Sequence, residues 1–322
     1  MSRKVTLSGL RNQSHVVYAA SWLRHAAAQH GPLALVVVDG GEGKRPQSID
    51  RLRLISPEIE IVTSHSADRG DHDYVSIGTP GIKPWLRLRR AYPRDRFRTV
   101  TIDEGLGSFA TWRQRRRAIL REGGSEPAAT VRAISRDIAA RRMPAEQWRL
   151  FIHNADGWSI SDAIAAEYRR EGPRTTATRD VVYLSQPWVE LGSVPEEPYV
   201  AHITAVAEQV RSLGWRFRVR PHPTEQHDRY APFDLIASRG PAELDPDVLA
   251  ATALVGESTT ALLNLSAIHG MPAVQIRGPV PQFTQEWLSD AQRSLFRQFL
   301  GGPVETEHVA ARLASLTGVG DA

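Results

Sequence analysis

The sequence predicts an α/β protein with two successive doubly wound, Rossmann-like domains, each with a parallel sheet between helices. Three observations support this fold class. Short apolar runs alternate with helical segments along the chain, which is typical of parallel sheets. The length of 322 residues suits about two domains of ordinary size. A segment with Pro173 and Thr-rich turns, residues 172–180, separates two such series and reads as a linker.

Residues 1–175 are predicted to form the N-terminal domain. The segment Asp71-His72-Asp73 follows a glycine and is interpreted as a solvated polar loop. Residues 113–142 are basic and helix-prone, and Gly123-Gly124-Ser125 interrupts them, which indicates an inserted subregion. The spacing of apolar residues predicts a helix at Ser14–Gln29. Short apolar runs predict four strands, at Val5–Leu7, Leu33–Val38, Ile59–Thr63 and Thr99–Ile102.

Residues 176–322 are predicted to form the C-terminal domain. Gly214 and Gly270 mark the ends of two of its helices. In folds of this kind ligands bind beyond the carboxyl ends of the strands, so we expect a ligand-binding cleft between the domains. The predicted strands are Val181–Leu184, Trp215–Val219, Phe233–Ile236, Leu254–Val255 and Ala273–Ile276, and the predicted helices are His202–Leu213, Ser258–His269 and Val304–Leu316.

The composition excludes several kinds of site and segment. The sequence contains no cysteine, which excludes disulfides and thiolate metal sites. It has no apolar run of transmembrane length, and its first residues read as a strand rather than a signal peptide. We therefore expect a cytoplasmic protein.

Charge is unevenly distributed although the formal net charge is only +4. The stretch Arg87–Arg121 contains eleven Arg residues and three acidic residues. Such a stretch suits an anionic substrate, an anionic lipid surface or nucleic acid, and it is equally typical of a solvated Arg-rich face.

Three short motifs each follow a predicted strand, at the edge of the sheet where α/β proteins bind ligands. They are Asp103-Glu104-Gly105, Arg220-Pro221-His222-Pro223 and Gly256-Glu257-Ser258-Thr259-Thr260. A carboxylate at the first position can act as a general base, and an imidazole between two prolines can contact a leaving phosphate. The third motif begins a helix, whose unpaired N–H groups and dipole favour an anion. Together they suit transfer of a group from a nucleotide to a hydroxyl.

In this order the motifs resemble the signatures of bacterial sialyltransferases and polysialyltransferases with the GT-B fold. The segment Tyr183-Leu184-Ser185-Gln186-Pro187 is similar too, although Ser258-Thr259-Thr260 stands where the family usually has two serines. The resemblance implies an inverting transfer of sialic acid from a CMP-activated donor to a glycan, without a metal or cofactor. It implies catalytic residues Asp103 as base, Glu104 beside it, and His222 at the donor phosphate. Donor contacts are expected from Ser258, Thr259, Thr260, Arg220, Pro223, Gly256 and, at the ribose, Glu243.

Alternatives remain open at this point. The donor could be CMP-Kdo, another nonulosonate or a nucleoside-diphosphate sugar, and the acceptor an anionic glycan that meets Arg87–Arg121. The same stretch could instead touch the inner face of a membrane peripherally. A protein of another class, which binds nucleotides or nucleic acid without catalysis, would explain the basic stretch but not the three motifs at strand ends. No nucleic-acid partner is therefore expected.

Overall fold

A computed structural model describes residues 2–38, 52, 57–64, 70–92, 96–103, 105–121, 123–238, 240–279 and 288–318. The chain divides into two compact units, Met1–Glu167 and Tyr168–Ala322, which we call unit 1 and unit 2. Each unit has its own parallel sheet with helices, so the predicted α/β class is confirmed.

Unit 1 contains a six-stranded sheet in the order β3-β2-β1-β4-β5-β6, in which all neighbouring strands are parallel. A separate antiparallel hairpin, β7 with β8, follows the sheet. The elements of unit 1 are β1 (Arg3–Ser8), α1 (Gln13–His30), β2 (Leu33–Val38), β3 (Ile59–Ile61), β4 (His72–Ile77), α2 (Ile82–Ala91), β5 (Phe97–Ile102), α3 (Trp112–Arg121), α4 (Glu126–Arg142), β6 (Glu146–Trp148), β7 (Phe151–Asn154), β8 (Gly157–Ile160) and α5 (Asp162–Glu171), whose end belongs to unit 2.

Strand β4 replaces the solvated loop expected around Asp71-His72-Asp73, and that expectation is wrong. Asp73 is fully buried, and its carboxylate accepts hydrogen bonds from Arg3 Nε (2.6 Å) and Arg98 Nε (2.9 Å) on the neighbouring strands β1 and β5. Burial acts to raise the pKa of Asp73, but these two arginines outweigh it and lower the pKa. Matched charges therefore allow a polar segment to form the centre of the sheet.

Helices α3 and α4 confirm the helical interpretation of residues 113–142. They pack against each other around a small core of Ile119, Ala129 and Ala133. Gly123, which separates them, has a φ of +86°, a backbone conformation that residues with a Cβ rarely adopt. The backbone between the two helices therefore favours glycine at this position.

Unit 2 contains a five-stranded parallel sheet in the order β11-β10-β9-β12-β13. Its core consists largely of aliphatic and aromatic side chains from these strands and from the first long helix. The elements of unit 2 are β9 (Asp180–Leu184), α6 (Glu196–Ser212), β10 (Arg216–Arg220), β11 (Asp234–Leu235), α7 (Pro246–Leu249), β12 (Ala253–Gly256), α8 (Thr260–His269), β13 (Ala273–Gln275), α9 (Asp290–Leu300) and α10 (Val309–Thr317).

Helix α6 begins six residues before the predicted His202. Pro195 precedes its first turn, and the acidic residues Glu196 and Glu197 lie in that turn, where the helix dipole favours negative charge. Tyr199 lies in this added segment and is fully buried. The sequence analysis missed this first part of the helix because it is largely charged, although its one buried face carries Tyr199.

Candidate functional site

The carboxyl edge of the unit 2 sheet brings the predicted donor-binding motifs together. Strands β10 and β12 are both hydrogen-bonded to β9, so His222 and Ser258 follow strands that lie on either side of it. Two strand spacings amount to roughly 10 Å. The two motifs are thus brought to one edge of one sheet, as predicted.

His222 is held as a neutral imidazole with a defined tautomer. The backbone N–H of Thr224 donates to its Nδ1 (3.3 Å), and the Thr224 hydroxyl lies 2.8 Å from the same atom. An Nδ1 that accepts a hydrogen bond carries no proton, so the proton is on Nε2. Burial lowers the pKa of His222 and outweighs the negative charge of Glu225, which acts to raise it. The ring therefore offers an N–H donor at neutral pH.

Glu225 organises the loop that carries His222, and the sequence analysis missed it. Its buried carboxylate accepts hydrogen bonds from the His222 backbone N–H (2.6 Å), from the Tyr230 hydroxyl (2.7 Å) and from the Ser185 hydroxyl. Ser185 directly follows β9, so Glu225 ties the ends of β9 and β10 together. An acidic residue three positions after His222 was the available signal.

The third motif forms the start of α8. Thr259 is the N-cap residue, and its hydroxyl accepts a hydrogen bond from the Ala261 N–H (3.3 Å). Ser258 precedes the cap, and its Oγ accepts a hydrogen bond from Gln275 Nε2 (3.2 Å). Thr260 is the first helical residue. The first N–H groups of a helix and its dipole attract an anion, and hydroxyl groups stand beside them here.

Arg220 and Glu243, both predicted donor contacts, are buried and already have protein partners. Arg220 Nε lies 3.1 Å from Asp245 Oδ2, and its guanidinium also donates to the Gly240 carbonyl. Glu243 accepts a hydrogen bond from Asn264 Nδ2 (2.8 Å). These contacts fit residues that shape the site, and their contact with a donor stays a prediction.

Gly256 and Pro223 occupy different environments. Gly256 ends β12, and a Cβ there would lie 3.1 Å from the Leu184 carbonyl oxygen of β9. The close approach of β12 to β9 thus favours glycine. Pro223 is exposed beside His222. A donor contact by either residue stays a prediction.

Glu257, inside the third motif, is a second residue that the sequence analysis missed. Its carboxyl group is 1% exposed and accepts hydrogen bonds from Trp188 Nε1 (2.8 Å) and from the Tyr183 hydroxyl (3.5 Å). A Cβ on Gly278 would collide with this carboxyl group. Burial raises the pKa of Glu257 to about 7. A titratable group is therefore enclosed on the residue that directly precedes Ser258, two positions before the Thr259 cap of α8.

In unit 1, Asp103 follows β5 at the carboxyl edge of the sheet. Its side chain is buried and lines a small cavity of about 30 Å³ together with Ser108, Arg115 and Arg149. Gly105 has a φ of +86° and begins the 3₁₀ turn Gly105–Phe109, a backbone conformation that glycine adopts readily. Glu104 lies outside the described residues.

Within the part of the chain that the structure describes, no three His, Asp or Glu side chains are grouped to hold a metal ion. Over the same residues, no helix combines the length and apolarity needed to cross a membrane.

No protein-family model and no curated protein sequence matches this chain. Among solved structures, a putative UDP-N-acetylglucosamine 2-epimerase from Listeria monocytogenes is similar with a TM-score of 0.58 and 11% identity, covering 100% of this chain and 89% of that one. The E. coli heptosyltransferase WaaC with ADP has a TM-score of 0.41 and 12% identity, covering 97% and 99%. The calicheamicin glycosyltransferase CalG4 has a TM-score of 0.45 and 11% identity, covering 99% and 94%.

The similarity to the Listeria structure extends over both units and concerns the fold. Together with the two parallel sheets, it confirms the prediction of two doubly wound, Rossmann-like domains of the GT-B type.

Proposed function

We propose that this protein is an inverting glycosyltransferase that moves sialic acid or a related nonulosonate from a CMP-activated donor to a hydroxyl group of a glycan. One observation carries the proposal. The neutral imidazole of His222 and the N-terminus of α8 follow strands on either side of β9, at the ligand-binding edge of a doubly wound sheet. This pairing of donors suits the phosphate of a nucleotide.

The donor phosphate would lie between these two groups. His222 Nε2–H would donate to one phosphate oxygen, and the first N–H groups of α8 with the Ser258 and Thr260 hydroxyls would bind the others. These donors are fixed before the ligand arrives, because Glu225 and the Thr259 cap hold their backbone. Preorganised donors stabilise the negative charge that grows on the departing phosphate.

Asp103 would act on the acceptor. Its carboxylate would take the proton of an acceptor hydroxyl, whose oxygen attacks the anomeric carbon as the bond from that carbon to the phosphate oxygen breaks. CMP leaves with the bonding electrons in this single displacement. Because the acceptor oxygen attacks the anomeric carbon directly, configuration inverts and no covalent enzyme intermediate forms. Arg115 and Arg149 line the same small cavity beside Asp103. Their positive charge would attract an anionic acceptor such as a sialylated glycan. Glu104 is proposed as the second carboxylate of this motif.

A nucleoside-diphosphate sugar is the second candidate donor, with CMP-Kdo a variant of the first. The Listeria structure of similar fold is described as a putative epimerase of UDP-N-acetylglucosamine, and the phosphate-binding edge of unit 2 suits a diphosphate equally. This candidate keeps the proposed glycosyl transfer and changes only the donor.

Peripheral membrane contact through Arg87–Arg121 is part of the proposal. Helix α2 exposes Ile82 (50%) and Leu86 (40%) beside Lys83, Arg87 and Arg90. Apolar and basic side chains on one short helix suit the surface of an anionic membrane. The proposed location is therefore the cytoplasmic face of the inner membrane.

The proposal is tested by calorimetric titration of the protein with CMP, UDP and GDP in the presence of EDTA. We expect selective CMP binding that Ser258→Ala weakens by about tenfold, since a tenfold change corresponds to the loss of one ordinary polar contact. Ser212→Ala is the matched control, because Ser212 precedes β10 at the opposite edge of the sheet.

Each other outcome has a defined meaning. Preference for UDP or GDP would replace the CMP donor with the second candidate. Absence of nucleotide binding would contradict the glycosyltransferase proposal and favour a non-catalytic role.

A further inference from the structure

A small cavity of about 80 Å³ lies beside the proposed phosphate site, between the end of β13 and helix α9. Ser258 lines it, so it borders the start of α8. The site residues predicted from the sequence include no other member of its lining. A single water molecule needs about 10–15 Å³ of such space, so the cavity has room for a group of several atoms.

The cavity is lined by three arginines, Arg277, Arg293 and Arg297, and its described lining includes no Asp or Glu. Arg277 Nε lies 2.6 Å from Glu305 Oε1, and Arg293 donates to the Leu288 carbonyl oxygen (2.6 Å) and to Asp290. For Arg297 the described residues provide no ion pair. Arg277 and Arg293 thus have a carboxylate partner, and all three guanidinium groups still line the cavity, where their paired N–H donors can bind an oxyanion.

Gln275 provides an independent indication of a ligand. It is only 4% exposed and lines the same cavity. Its Nε2 donates to Ser258 Oγ (3.2 Å), whereas its Oε1 has no hydrogen-bond partner among the described residues. Buried polar atoms are normally paired, so this oxygen is placed to accept a hydrogen bond from a ligand in the cavity. A hydroxyl group next to the oxyanion would supply it.

We propose that this cavity is a second anion subsite, which takes an oxyanion of the donor beyond the phosphate bound at α8. This inference rests on the proposed function. The shared chemistry is an oxyanion with a neighbouring hydroxyl, and two donors present it. One is the carboxylate of a sugar acid attached to CMP, and the other is the second phosphate of a nucleoside-diphosphate sugar. The subsite therefore determines which class of donor the protein accepts.

The test compares ligands that share a nucleoside monophosphate and differ in the second anion. Dissociation constants are measured for CMP, CDP and CMP-sialic acid, and for UMP and UDP, with the unmodified protein, Arg297→Gln and Arg277→Gln. Arg211→Gln is the matched control, since Arg211 is also an exposed arginine in the last turn of a helix. Ser258→Ala reports separately on the first phosphate.

We expect the ligand with the second anion to bind about tenfold more tightly or better than its monophosphate. Arg297→Gln and Arg277→Gln should remove most of that advantage and leave monophosphate affinity unchanged, and Arg211→Gln should change neither. A gain confined to CMP-sialic acid assigns the sugar carboxylate, and a gain confined to CDP or UDP assigns the second phosphate.

Two results would overturn the inference while the proposed function stands. In the first, a monophosphate binds through Ser258 and a second anion brings no gain in affinity. In the second, the Arg277 and Arg297 variants weaken the monophosphate and the ligand with the second anion equally. If no nucleotide binds at all, the proposed function fails and the inference fails with it.

Discussion

Burial changes the protonation of the Glu257 carboxyl group, which directly precedes Ser258 of the proposed phosphate site. The unfolded chain titrates this carboxyl near its ordinary pKa of 4.5, whereas burial raises the pKa in the folded protein to about 7. The folded state therefore binds the proton more tightly. The stabilisation from this proton is complete below pH 4.5 and is lost as the pH rises through 7. Hydrogen bonds from Trp188 and Tyr183 oppose the shift only in part.

Replacing Glu257 with Gln should make the protein less sensitive to rising pH. Gln keeps the shape of the neutral carboxyl group and never ionises, so the variant gains about 2 kcal/mol of relative stability between pH 5 and pH 8. Urea unfolding of both proteins at the two pH values measures this difference. Glu208→Gln, which changes an exposed carboxylate on α6, is the control and should show no such trend. An equal stability difference at both pH values would contradict the raised pKa.

At the scale of elements, the start of α8 combines a structural and a binding role. Thr259 caps the helix through its own hydroxyl, which leaves the hydroxyls of Ser258 and Thr260 available for other partners. Ser258 already uses its oxygen to accept a hydrogen bond from Gln275 on β13. Thr259 therefore caps the helix, and Ser258 and Thr260 on either side of it are proposed to contact the ligand.

Thr259→Ala should lower the free energy of unfolding by about 1 kcal/mol, because it removes the side-chain acceptor for the Ala261 N–H. Thr259→Ser should retain most of that stability, since serine is an equally good cap. Urea titration of the three proteins measures both effects. If alanine proved as stable as threonine, the capping role would be refuted.

The sequence predicted those elements that have a local signal and missed those that depend on distant partners. Apolar runs and glycine stops located β1, β2, β9 and α8, and His222 and Ser258 follow strands as predicted, while their contact with a donor stays a prediction. Strand β4 was missed because the arginines that neutralise Asp73 lie on β1 and β5, far away in sequence. Glu257 and Gln275 were missed for the same reason, since their partners come from other segments.

At the scale of the whole molecule, the proposed base and the proposed nucleotide site belong to different units. Asp103 follows β5 in unit 1, and His222 and Ser258 follow strands of unit 2. Each unit has its own sheet and core, so a change at one site should leave the fold of the other unit intact. Binding and catalysis should therefore be separable by mutation.

Asp103→Asn should lower kcat by about 10²–10⁴-fold, the range typical of a lost general base, and leave the dissociation constant of CMP within about twofold. Transfer assays with a sialylated acceptor, paired with CMP titration, measure the two effects. Asp162→Asn, at an exposed position in the first turn of α5, is the control and should change neither. Loss of CMP binding in Asp103→Asn would contradict the role as base.

The strand order has a consequence for how the chain assembles during synthesis. Strands β1 and β9 are the first strands of their units, yet each lies inside its sheet with later strands on both sides. A ribosome releases β9 well before β10 and β12, and parallel pairing must wait until the connecting helix has been made. The most central strand of unit 2 thus spends the longest time with both edges uncovered. The six strands of the unit 1 sheet can all pair once Trp148 has emerged, before β9 has been synthesised.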